Sequence, residues 1–112
     1  MKKIKNLTPH KVTIMTESGD ILAIFESESI ARAEQKDIPA GELNGIPLVK
    51  SSFGVPIGLP KPDEDTYLIV SLITANAAKA AGRTTEDLLL TSTPVRNETG
   101  QIIGCKALAV VK

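Results

Sequence analysis

Apolar positions in this chain fall into short runs broken by glycine, proline and charged residues, and the clearest pattern spans Tyr67 to Thr91. Tyr67 to Val70 (YLIV) reads as a buried strand. A helix ending at Gly82 follows, and Asp87 to Leu90 reads as the next strand. Ser71 or Thr74 caps the helix start, alanine fills its body, and Gly82 supplies a left-handed stop. A strand that returns beside its predecessor through a helix makes a right-handed parallel crossover, so one βαβ unit is expected here.

Around that unit the alternation has a period of two. Ile4 to Leu7 is a short opening strand closed by Thr8-Pro9-His10. VTIMT and DILAIF, separated by Glu17-Ser18-Gly19, form a hairpin in which Val12 and Ile14 share one face. Glu26 to Asp37 is polar, with Ile30, Ala31 and Ala33 hinting at a further strand or a charged loop. Ile38 to Leu43 and Ile46 to Lys50 flank Asn44-Gly45, the strongest hairpin signal in the chain. Phe53 to Asp65 carries Gly54, Pro56, Gly58, Pro60 and Pro62, and is expected to be a surface loop too rich in proline for a central strand. A last hairpin runs through STPVR, turns at Asn97 to Gly100 and returns as QIIGCKALAVV; its return strand is apolar on both parities and so central. The thin alanine helix is expected to face the small residues of that strand, where Ile103, Cys105, Ala107, Ala109 and Val111 share one parity. The expected fold class is α+β: a mixed, mainly antiparallel sheet of about six to eight short strands, one principal Ala-rich helix and one βαβ crossover, in a single domain over residues 1–112.

Composition narrows the function classes more than it selects one. Thirteen basic and 13 acidic residues give zero formal charge, so the basic face of a nucleic-acid binder is not expected. The single cysteine excludes an intrachain disulfide and suits a reducing, cytoplasmic setting; Lys2, Lys3 and Lys5 are not followed by the apolar stretch of a secretory signal. There is no GxGxxG, P-loop or HExxH motif, and one histidine with one cysteine does not make a zinc site. No metal and no cofactor is expected.

Two constellations remain. Cys105 and His10 are the only residues able to form a Cys–His nucleophilic pair, and terminal strands often pair in small sheets. Cys105 nevertheless lies on an apolar parity, where a packing role is the default. The second constellation is a site for a small anionic ligand at the strand-to-helix turn near residue 71, where backbone N–H groups point outward. Ser71 and Thr74 stand there, Arg96 could add a bidentate contact, and His10 a further donor. Arg83 follows the helix C-terminus, at the opposite end, and reads as structural; Asp87 caps a short turn or pairs with an arginine.

The segments NLTPH, NGIPLV, YLIVS, RTTEDLL and PVRNETGQIIGCKAL span most of the chain, and with them it resembles a family of small uncharacterised proteins of bacteria, prophages and phages. The resemblance implies no activity that transfers to particular residues; a phage setting would suit counter-defence roles such as sequestering a nucleotide signal or occupying a host protein. Three readings follow: a non-enzymatic, oligomeric module binding a small anionic, nucleotide-like ligand; a protein-interaction module contacting a host factor through the loop Phe53 to Pro62; and a thiol-dependent hydrolase or transferase using Cys105 and His10. More of the chain favours a binder than an enzyme.

Overall fold

A computed structural model describes residues 2–111. The fold is α+β. Strands β1 (Lys3–Asn6), β2 (Val12–Met15), β3 (Ile21–Phe25), β4 (Arg32–Leu43), β5 (Ile46–Ile57) and β6 (Thr66–Ile69) precede helix α1 (Leu72–Ala80), and β7 (Leu88–Arg96) and β8 (Ile102–Val110) follow it. Six strands form one sheet in the order β1-β6-β7-β8-β2-β3, while β4 and β5 form a separate two-stranded ribbon. The pairs β1–β6 and β6–β7 are parallel, as is the single β2–β8 bridge between Ile14 and Cys105. The remaining pairs are antiparallel and hold most of the paired residues.

The crossover forms as the sequence indicates. Parallel β6 and β7 are neighbours joined through α1. Ser71 caps the helix, its Oγ accepting from the Thr74 N–H at 3.2 Å. Gly82 ends it at φ 83°, with the Arg83 N–H donating to Ala78 O and the Gly82 N–H to Lys79 O, a Schellman cap. Alternation along β6 and β7 then sorts two clusters. Leu68, Val70 and Leu88 pack with Ala75 and Ala78 of the helix, and with Leu7 and Ala31. Ile69 and Leu89 join Val12, Ile14 and Cys105 in the second cluster.

Three expectations change. The helix lies against β6, β7 and the base of the β4–β5 ribbon, not along the C-terminal strand; only Val111 of the small-residue parity reaches its cluster, and Ala107 is exposed. A crossover that joins adjacent strands covers those two, and β8 is one place further out. Second, the strand expected over Asp87 to Leu90 starts at Leu88 and runs on through STPVR as one strand, β7. Third, the proline-rich stretch after Phe53 is strand as far as Ile57; of the two readings open for the polar segment, its Arg32 to Asp37 part is strand. Proline is barred from strands bonded on both sides, but each strand of a two-stranded ribbon has a free edge, so Pro56 fits opposite Ala33. The Asn44-Gly45 turn closes this ribbon with both residues at positive φ, 51° and 81°, as a two-residue I′ hairpin requires.

Candidate functional site

Two polar hubs set up a large cleft. The first is Asn6, fully buried at the end of β1. Its Nδ2 donates to His10 O at 2.7 Å and Phe25 O at 2.9 Å, and its Oδ1 accepts from the Thr8 N–H and the Thr8 hydroxyl. Three of these four contacts stay inside one corner and the fourth ties it to β3, so the NLTPH segment folds back sharply and delivers His10 and Lys11 to the start of β2. The second hub is Thr74, also fully buried. It accepts from Ser71 Oγ at 2.9 Å and donates to Ala31 O at 3.2 Å, fixing the first turn of α1 to the segment leading into β4.

Between these hubs lies an open cleft of about 940 Å³, walled by Val12, Thr13, Val70, Leu72, Leu90 and Cys105 and by the β8 start, with Thr8, His10, Lys11, Ser71, Thr91 and Ser92 supplying its polar groups. It sits where β6 passes into α1. Leu72, Ile102 and Ile103 are about half exposed at its mouth, at 59%, 60% and 47%. No carboxylate lines it. Gly104 also lines it, where β8 lies close to β2: a Cβ there would meet the flexible Met15 Sδ at 2.8 Å and Thr13 O at 3.0 Å. Thr93, between wall residues Ser92 and Pro94, has φ 55°. A β-branched residue before proline is disfavoured there twice over, and such strain gathers at functional sites.

Of the residues singled out from sequence, Ser71, His10 and Cys105 converge on this cleft. The pairing of β2 with β8 is what brings His10 and Cys105 to one place. Cys105 is 5% exposed among aliphatic side chains, the setting of a packing thiol rather than of an accessible thiolate. Thr74 turns inward and supports Ser71 from below. Arg96 ends β7 outside the cleft, its Nη1 donating to Gly100 O of the following turn at 2.8 Å. Arg83 forms a bidentate pair with the buried Asp87, both contacts at 2.9 Å, and also donates to Pro60 O and Thr84 O. That pair is structural, holding the connection after β5 to the start of β7. Sequence reasoning missed Lys11, Thr8 and Thr13. Their signal was adjacency to His10, but only strand order places them beside Ser71.

Among the described residues no group of three or more His, Cys, Asp or Glu side chains could hold a metal ion, and no helix is long and apolar enough to cross a membrane. Compared with family models, curated proteins and solved structures, the chain matches none.

Proposed function

We propose that this protein is a binding module whose cleft at the start of α1 takes a small ligand with a flat or apolar body and an anionic group, the chemistry of a nucleotide. The observation that carries the reading is the lining. In a chain with 13 acidic residues, none faces this cleft, while Lys11 does. Its volume lies in the ~300–1,000 Å³ range of small-molecule sites, which are mainly apolar with a few converging polar groups. Val70, Leu72, Ile102 and Ile103 offer the apolar surface, and the hydroxyls of Thr91 and Ser92 offer donors. The first turn of α1 adds the favourable end of a helix dipole for an anion, and Lys11 and His10 stand across from it.

The test is a thermal-shift panel of nucleoside mono-, di- and triphosphates, cyclic nucleotides and sugar phosphates. At a hundredfold excess over its dissociation constant, a ligand of the native state adds about 2.7 kcal/mol, a shift of several degrees. Lys11→Glu, a change at an exposed position, should weaken that ligand at least tenfold without altering the unliganded midpoint. Arg96→Ala should leave binding as it was. No shift with any compound, or a shift indifferent to Lys11→Glu, would sink the reading.

A further inference from the structure

We infer that the β4–β5 ribbon is an assembly arm that packs face to face on a second copy of this chain. The inference is independent of the ligand reading. The two strands have 12 residues each, so at ~3.3 Å per residue the ribbon extends ~40 Å. The Cα radius of gyration is 16.7 Å, against ~13 Å for a compact chain of this length, which places much of the ribbon away from the rest of the molecule. Ile38, Leu43, Val49, Phe53, Val55 and Ile57 are each 41–59% exposed along it. A two-stranded ribbon with bare faces is marginal in water, and an apolar stretch this long marks a contact surface.

Faces, not edges, are what the arm offers. Pro39, Pro47 and Pro56 interrupt the donors along its strands, and the register shifts between Ala33 and Gln35 and between Pro39 and Glu42 bend them. Those are devices that stop strand-to-strand addition. A partner must therefore lie across the side chains.

Three features select a second copy. The faces are exposed whenever the chain is folded, and only another copy is always present in equal amount. The charges on the ribbon balance: Arg32, Lys36 and Lys50 against Glu34, Asp37 and Glu42. Such a surface is complementary to itself, where a highly charged partner would meet a patch of one sign. The size sets the geometry. At ~40 Å by ~10 Å one face of the arm is ~400 Å², so the arm must lie across both the arm and the body of its partner to approach the ~800 Å² that each partner contributes to a standard interface. A two-fold pairing, arm across arm and body, uses the same patch on both copies.

Light scattering and sedimentation of the full chain over a wide concentration range provide the test. The expected result is a mass of at least two chains. The double substitution Val49→Lys, Val55→Lys should bring it down to one chain, with far-UV circular dichroism unchanged because both side chains are exposed. Should that variant misfold, amide exchange of the wild-type arm decides: its protection should fall on dilution. A wild-type monomer throughout would overturn the inference and leave the arm to a partner of another kind. So would assembly undiminished by the substitutions, which would move the interface elsewhere, for instance to the edge strand β3 with its exposed Ile21, Leu22 and Ile24. Arm protection independent of concentration would overturn it too.

Discussion

The six-stranded body and the β4–β5 arm are built from similar apolar, β-forming residues, yet they hold their shape in different ways. In the body, Leu68, Val70 and Leu88 meet the helix while Ile69 and Leu89 serve the other cluster. Its buried polar residues, Asn6, Thr74 and Asp87, all have partners, and no described buried side-chain nitrogen or oxygen is left without one. In the arm, almost every residue is exposed, and what sets its path is turn chemistry at Asn44-Gly45, cross-strand pairing and a few surface contacts. The contrast teaches that strand propensity fixes local extension, whereas stability comes from what lies across the strand.

Removing a side chain from the body should separate the two regions most. Leu88→Ala empties a site that is 0% exposed, and chemical denaturation should show a loss of about 3 kcal/mol or more. Phe53→Ala, in the arm at 50% exposure, should change the stability of dilute protein by less than about 0.5 kcal/mol. Comparable losses at the two positions would mean that the arm is packed on the body.

An intermediate effect is expected where arm meets body. Gly58 has φ 80°, and a Cβ there would stand 2.7 Å from Ile30 O. Gly58→Ala should therefore cost about 2 kcal/mol through left-handed strain and that backbone contact. Amide exchange should show the disturbance concentrated at the arm's base. A variant as stable as wild type would show that this junction has slack.

The smallest effect concerns acid. Asp37 accepts from Ser51 Oγ at 2.7 Å and from Gln35 Nε2 at 3.2 Å. The Ser51 hydroxyl first, then the Gln35 amide, holds its carboxyl below the ordinary value of 3.8. A carboxylate with a depressed pKa supports the folded form above its unfolded value and loses that support as pH falls through the folded one. Arm amides near Ser51 should thus exchange faster only below pH 3.8. In Asp37→Asn that acid step should vanish; a step persisting in the variant would assign it to another group.

The two regions were also unequally legible. Turns were readable because they are local: Gly19, Asn44-Gly45 and Gly82 all take the positive φ that their sequence context demands. The βαβ unit was readable for a related reason, since its cap, its alanines and its stop are contiguous. The ribbon's length was not, because proline disqualifies a strand only when both edges are bonded, and edge status is a property of the sheet. The helix's partner was misassigned because parity ranks faces within one strand and says nothing about which strands are neighbours.

The site divides along the same line. Sequence by itself marked Ser71 as a cap, His10 as the end of a corner and Cys105 as an apolar-parity thiol, each from its nearest neighbours along the chain. Tertiary structure alone decided that these three share a cleft while Arg96 stands apart, and that Lys11 and Gly104 belong with them. The order β6-β7-β8-β2, with its strand directions, sets the first turn of α1 and the start of β2 at the same end of the sheet, around one cleft. That order rests on contacts between residues far apart in the chain, which no local pattern records.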